Sequence, residues 1–208
     1  MNPATPNQVK YYNLLMSKSV PLLFATGPAG TGKTLLAATV GARKLSAGQV
    51  SRLVVTRPAV SVDEEHGYLP GTVDKKMEPW TRPVFDALSR FYTQRQINAM
   101  MYDRVIEVCP LAYMRGRTFD KSWIIADEMQ NATPNQMKMV LTRIGTDSKM
   151  IVTGDLTQCE TGYDDNGLVD FLQRVREDDS EIIKTVSLNT DDIVRSEVVK
   201  EVLRYYID

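Results

Sequence analysis

The stretch Gly27-Pro28-Ala29-Gly30-Thr31-Gly32-Lys33-Thr34 has the residue types and spacing of a phosphate cradle. It satisfies G-x-x-x-x-G-K-[ST] at every fixed position. Glycines let the backbone turn tightly, so successive N–H groups can converge on one anion. A helix start just after them adds partial positive charge. In this pattern Lys33 reaches the β- and γ-phosphates, and the Thr34 hydroxyl is a Mg²⁺ ligand. A second group stands at Asp127-Glu128, where the apolar run Trp123-Ile124-Ile125-Ala126 ends in two adjacent acids. Neighbouring carboxylates at the end of a buried strand cost desolvation and mutual repulsion, which a divalent cation and a water offset. Asp127 is then the Mg²⁺ partner, through water. Glu128 is the base that orients the attacking water. Together these parts point to Mg²⁺-dependent hydrolysis of a nucleoside triphosphate.

The surrounding pattern must position them. Pro21 to Thr26 reads as a buried strand before the cradle, and Leu35 to Val40 as the helix after it. Gly48 stops that helix. Arg52 to Thr56 reads as a second strand, and its apolar continuity suits a parallel sheet covered on both faces. Arg57 follows at the strand's carboxyl end, the ligand side of an open α/β sheet. It can meet nucleic acid or phosphate, or it is a solvated strand end. From 59 to 103 the strand–helix rhythm breaks. Val60 to Gly71 reads as a loop or hairpin, Asp74 to Tyr92 as a helix interrupted near Pro79 and Pro83, and Gln94 to Tyr102 as another helix. There Trp80, Phe85, Phe91 and Tyr92 stand among Lys75, Lys76, Arg82, Arg90 and Arg95, either a stacking platform for single strands or core. Arg104 to Cys109 alternates as a strand. Arg115 and Arg117 flank Gly116, which leaves both guanidinium groups open to phosphate; the alternative is a surface pair.

Thr133 caps a helix with Pro134 at its first position, and Met137, Val140, Leu141 and Ile144 make its core face. Arg143, near that helix's end, serves a γ-phosphate on a neighbouring subunit or complements the helix dipole. Lys149 to Asp155 is a further parallel-type strand, and Gln158 after it can sense the γ-phosphate or its water. Asn166-Gly167 reads as a turn, Leu168 to Arg176 as a helix and Glu181 to Leu188 as a last strand. A final helix runs from Asp191 to near Tyr206. Arg195 on it is a phosphate contact or a structural ion pair. Upstream of the cradle, residues 1–7 read as a loop. Thr5 or Asn7 caps a helix that begins near Gln8, whose amide matches the adenine N6/N7 edge or is simply a surface group.

The bulk numbers set limits. With 208 residues and 43% hydrophobic content, one globular domain over 1–208 is expected. A net charge of −1 excludes a global polycation signature. The distribution is uneven. Residues 75–121 hold nine Lys/Arg and five Asp/Glu, whereas 155–192 hold three Lys/Arg and eleven Asp/Glu. Such asymmetry marks a partner surface or ordinary solvated charge. Cys109 and Cys159 make neither a metal spacing nor a disulfide framework, and His66 sits in a solvated loop. No apolar run reaches membrane-span length and no signal-peptide core opens the chain, so no membrane partner and a cytoplasmic site are expected.

These stretches together resemble the PhoH family of P-loop ATPases. The resemblance covers nearly the whole chain. It lies in GPAGTGKT at 27–34, TRPAV at 56–60, GYLPG at 67–71, YMRGRTF at 113–119, ADEMQN at 126–131, TPNQMKMVLTRIG at 133–145 and KMIVTGDLTQ at 149–158. It implies a RecA-like α/β fold: a mostly parallel sheet with helices on both faces and a helical or hairpin insertion at about 59–103. The family's core is similar to superfamily 1 helicases, in which Gln8, Gln130 and Gln158 would match the adenine-reading and γ-phosphate-sensing glutamines. The resemblance further implies ATP hydrolysis with an RNA helicase or RNA-processing role. The length looks like that of short bacterial or phage-encoded members, without a nuclease domain. A helicase of that superfamily carries two RecA-like domains, so translocation by one domain implies a homo-oligomer, a hexamer being the usual solution. Two other classes remain. One is a nucleotide-dependent switch or assembly protein with slow hydrolysis. The other is a small-molecule kinase, against which the acid pair and the GDLTQ run argue.

Overall fold

The structure is a computed structural model that describes residues 2–58, 73–157, 166–176, 180–194 and 198, without the side chains of 73–80 and 176. Six parallel strands form one sheet: β1 (Leu22–Thr26), β2 (Arg52–Arg57), β3 (Ile106–Pro110), β4 (Ser122–Ala126), β5 (Lys149–Gly154) and β6 (Ile183–Ser187). Their order is β3-β2-β4-β5-β1-β6. This is a RecA-like α/β fold.

The four inner strands, β2, β4, β5 and β1, are buried on both faces because they are apolar at successive positions and alternate side chains between two cores, whereas the edge strands β3 and β6 are only partly buried. One core takes Leu23, Ala25, Leu53, Val55, Trp123, Ile125 and Ile151. The other takes Leu22, Phe24, Val54, Ile124, Ala126, Met150 and Val152. Helices α1 (Pro6–Met16), α2 (Lys33–Ser46), α3 (Val73–Leu88) and α4 (Gln94–Tyr102) cover the first face. Helices α5 (Pro134–Leu141) and α6 (Gly167–Arg176) cover the second.

Several expectations are corrected. The first helix begins at Pro6, inside the stretch expected to be loop, with Thr5 as its cap; the Thr5 hydroxyl accepts from the Gln8 amide at 3.2 Å. Pro79 and Pro83 do not interrupt α3, which runs through both. Each proline forfeits one helical hydrogen bond. The burial of Thr81, Val84, Ala87 and Leu88 holds the helix together nonetheless. Within the expected insertion at about 59–103, the described residues form α3 and α4. Helices α3 and α4 form the crossover from β2 to its parallel neighbour β3. Asn166 is a helix cap rather than a plain turn, its Oδ1 accepting from the amides of Leu168 and Val169 at 3.0 and 3.2 Å. The final helix expected from Asp191 does not open there: Thr190–Asp192 is a single 3₁₀ turn capped by Asn189, and Ile193 is extended. Residues 59–72, which include His66 and the GYLPG run, lie outside the described residues, as do 195–197 and 199–208.

One contact ties the helix of the phosphate loop to the strand of the acid pair. The Trp123 ring of β4 lies against α2 and donates from Nε1 to the Ala37 carbonyl at 3.0 Å. Gly41 permits this approach, because a Cβ there would stand 2.4 Å from Trp123 Cδ1.

Candidate functional site

The loop between β1 and α2 has positive φ at Gly27, Gly30 and Gly32. Its outcome is visible at the start of α2. Helices α1, α4 and α5 each begin with a threonine side chain accepting a first-turn amide, and α6 begins with Asn166. Helix α2 begins at Gly32, in the left-handed region at φ 83°, with no side-chain cap and no acid in its first turn. A 14-residue helix thus leaves its first amides for an external acceptor.

Lys33 folds back over the loop. Its Nζ donates to the carbonyls of Gly27 at 2.5 Å and Pro28 at 2.8 Å. Burial lowers its pKa, and the carboxylates of Asp155, Glu128 and Asp127 oppose that shift. The Thr34 hydroxyl, one residue on, donates to Asp127 Oδ1 at 2.7 Å, across 93 residues of chain. The same carboxylate oxygen accepts from the Thr153 hydroxyl of β5, and the Asp127 amide donates to the Thr56 carbonyl at 2.8 Å. Asp127 is therefore fixed by groups from α2, β2 and β5. Thr153 went unremarked in the sequence. Its signal is its position one residue before the Gly154-Asp155 strand end.

Glu128 sits at φ 53°, a conformation that non-glycine residues adopt rarely. Its Oε2 accepts from Gln130 Nε2 at 2.5 Å, and Gln130 Oε1 accepts from the Asp155 amide at 3.1 Å. Gln130 is 2% exposed and bridges the acid to the end of β5. Gly154 leaves room for it, since a Cβ there would stand 2.9 Å from Gln130 Oε1.

Gln8 is fully enclosed, which overturns the surface reading. Its Nε2 donates to the Thr31 carbonyl at 3.1 Å and the Asp192 carbonyl at 3.0 Å, and its Oε1 accepts from the Ala4 amide at 2.9 Å. An adenine contact requires it to exchange one of these partners. As the side chain lies, it braces the loop from α1, and the Tyr11 hydroxyl does the same by donating to the Lys33 carbonyl at 3.1 Å.

The arginines separate. Arg117 is not open as expected. It forms a two-pronged pair with Glu107 at 2.5 and 2.8 Å, and its guanidinium lies 4.5 Å over the Phe119 ring. The cause is tertiary: β3 brings Glu107 within reach, and that pairing holds the Glu107 carboxyl below its ordinary range. Arg115 is exposed. Arg143 donates to the carbonyls of Met139 and Arg117, each at 3.1 Å, so its guanidinium serves its own helix end. Arg57 ends β2 in register with Pro110. Gln158 and Arg195 lie outside the described residues. Of the expected aromatic platform, Phe85 and Tyr92 pack on the core, Phe91 is partly exposed, and the Trp80 side chain is outside the description. Cys109 is a buried free thiol whose pKa burial pushes up to about 11, so it is no nucleophile; Cys159 is outside the described residues.

Four buried side-chain atoms among the described residues have no partner: Thr56 Oγ1, Asn131 Oδ1, Asp155 Oδ2 and Asn166 Nδ2. All belong to residues at or beyond the carboxyl ends of strands, where open α/β sheets bind ligands. No cluster of three or more His, Cys, Asp or Glu among the described residues could hold a metal alone. A Mg²⁺ here fits the hard oxygens of Thr34 and Asp127 together with substrate oxygens.

A model of the PhoH family, described as PhoH-like protein, matches residues 1–207. The chain belongs to the PhoH family. It is 43% identical over 210 residues to a PhoH-like protein of Mycobacterium tuberculosis, covering 99% of this chain and 58% of that protein. It is 40% identical over 203 residues to Protein PhoH of Escherichia coli K12, covering 96% of this chain and 57% of that protein. The chain thus spans less than two thirds of the length of these PhoH relatives. Among solved structures, the large terminase of a thermophilic bacteriophage superposes with a TM-score of 0.61 at 13% identity, over 100% of this chain and 51% of that one. At that identity the likeness is one of fold. No helix among the described residues is long and apolar enough to cross a membrane.

Proposed function

We propose that this chain hydrolyses ATP with Mg²⁺ and couples turnover to binding or remodelling of RNA or single-stranded DNA, as a homo-oligomer of six subunits. One observation carries the ATPase reading: the Thr34 hydroxyl meets Asp127 at 2.7 Å beside a long helix whose first amides have no side-chain cap. In this reading Lys33 exchanges the Gly27 and Pro28 carbonyls for phosphate oxygens. Mg²⁺, when bound, neutralises triphosphate charge and would be held by Thr34 directly and by Asp127 through water. Glu128 accepts the proton of the attacking water as the new P–O bond forms and ADP departs. Gln130 orients Glu128, and Gln158 senses the γ-phosphate. Arg143 and Arg195 are the candidates for further phosphate contacts; the intrachain bonds of Arg143 must break for it to serve a neighbour. Arg57 and Arg115 are the candidates for nucleic-acid contact. Phosphate release measured with and without RNA and DNA at low salt is the test. Turnover indifferent to both would remove the motor reading.

A second reading is a nucleotide-dependent switch with slow hydrolysis. The 2.5 Å bond from Gln130 to Glu128 favours it, because a base so held is not yet turned to a water. Under this reading Glu128→Gln changes oligomer mass on adding ATP and changes no strand separation.

A further inference from the structure

We propose that a groove along the outer edge of β3 is a subsite for an unpaired nucleic-acid strand, with Tyr102 and Tyr113 stacking on bases and Arg104 and Arg115 meeting phosphates. This rests on the reading that the chain acts on single strands, and adds where the strand lies.

Strand β3 pairs with β2 alone, and no other strand among the described residues lies on its other side. Along it runs a concavity of about 540 Å³, lined by Tyr102, Arg104, Glu107, Val108, Tyr113 and Arg117 among others. It lies four strand steps from β1, about 19 Å at ~4.8 Å each, so it is separate from the phosphate loop. Tyrosine usually buries its ring. Here Tyr102 is 90% exposed just before β3, and Tyr113 is 60% exposed just after it. Two aromatic faces thus stand at the two ends of one short groove.

The charges fit a strand with its bases inward. Mid-groove, Arg117 is neutralised by Glu107 and laid over Phe119, a flat surface without net charge that suits a base. Arg104 lines the groove and is exposed, and Arg115, two residues beyond Tyr113 in the chain, is exposed as well. The charged groups that line the groove are Arg104, Arg117 and Glu107, a net positive set as a polyanion needs. A protein strand added to this edge fits less well, because β3 has five residues and ends in Pro110, which has no amide to donate. The groove also has a physical route to the acid pair. Cys109 in its wall is in register with Thr56, whose carbonyl holds the Asp127 amide.

The test uses the full chain and fluorescence anisotropy with labelled oligo(U), oligo(dT) and a duplex, each of about twelve nucleotides per strand. Tyr102→Ala and Tyr113→Ala should each weaken single-strand binding about five-fold or more, and the pair together further. Tyr102→Phe and Tyr113→Phe should bind like wild type, because stacking needs the ring and not the hydroxyl. Tyr102 is exposed enough that its loss leaves the melting temperature unchanged, so lost binding is not lost fold. Arg104→Ala should lower the slope of log affinity against log salt by about one unit. A preference for either single strand over duplex supports the subsite and tells RNA from DNA. Wild-type binding with the double alanine variant within two-fold of it overturns the subsite and leaves the broader reading standing. No wild-type binding to any probe overturns that reading and the subsite with it. An altered oligomer mass with unaltered nucleic-acid binding makes the groove a protein interface and overturns the proposal.

Discussion

Two lysines bury their ammonium groups at opposite ends of the sheet. At the carboxyl end, Lys33 donates to the carbonyls of Gly27 and Pro28. At the amino end, Lys149 opens β5 and donates to the carbonyls of Leu14 and Ser17 at 2.6 and 2.8 Å. Burial lowers the pKa of both. Their neighbours differ. Lys33 faces Asp155, Glu128 and Asp127, which favour its charge, whereas Lys149 has Lys44 nearby, which opposes it. Lys33 rests on a glycine-rich loop whose carbonyls a phosphate can replace. Lys149 rests on the end of α1, where it satisfies carbonyls that the helix leaves over. Under the proposed function, the same bond pattern is exchanged for phosphate oxygens at Lys33 and kept at Lys149.

The largest break in this comparison should come from Lys33→Ala. ATP turnover is expected to fall by about 10²–10⁴-fold with the fold retained, as read by phosphate release and calorimetry. Near-normal turnover would remove the phosphate role. Glu128→Gln should lower turnover by about 10²–10⁴-fold while nucleotide affinity stays, because the carboxylate acts on the water and not on the triphosphate. Equilibrium binding beside single-turnover rates separates the two.

Lys149→Met should do the reverse of Lys33→Ala: turnover within two-fold, and stability lower by about 1–3 kcal/mol, as two carbonyls lose their donor. A midpoint in urea equal to wild type would show those bonds to be dispensable. The pH dependence sharpens the point. Lys149 is pushed down to about 8 from 10.5, so between those values the unfolded chain binds more protons than the folded one. Stability should therefore rise with pH through that window, by at most about 1.4 kcal/mol per unit, and the slope should shrink in Lys149→Met. The smallest effect belongs to Glu107→Gln. Loss of the pair with the part-exposed Arg117 should cost about 1 kcal/mol. Because Glu107 is held below its ordinary range, that contribution is present at neutral pH and is lost as pH falls through its lowered value. A destabilisation that persists at pH values below that range would assign the loss to packing.

The groups proposed for chemistry at the carboxyl end stand out in the sequence because their signals are local. A glycine run between strand and helix, and two acids after an apolar run, each announce themselves within ten residues. The partners were not legible. Arg117 read as open because Glu107 lies on a different element, and Gln8 read as a surface or base-reading group because Thr31 and Asp192 are far from it in the chain. Pro79 and Pro83 signalled a break that the buried face of α3 overrode. The exposed Tyr102 and Tyr113 were missed since an aromatic at helical or strand spacing is usually core, and exposure depends on what packs above it.

By itself, then, the order of residues determined most of the elements, their parallel character and the groups proposed to bind a triphosphate and a cation. Those follow from periodicity, turn chemistry and spacing along one chain. The tertiary structure decided that β2 lies between β3 and β4, that Thr34 meets Asp127, that Gln130 holds Glu128, and that β3 is an edge strand among the described residues. These depend on which distant surfaces bury each other, and burial is a property of the packed whole that no single stretch encodes.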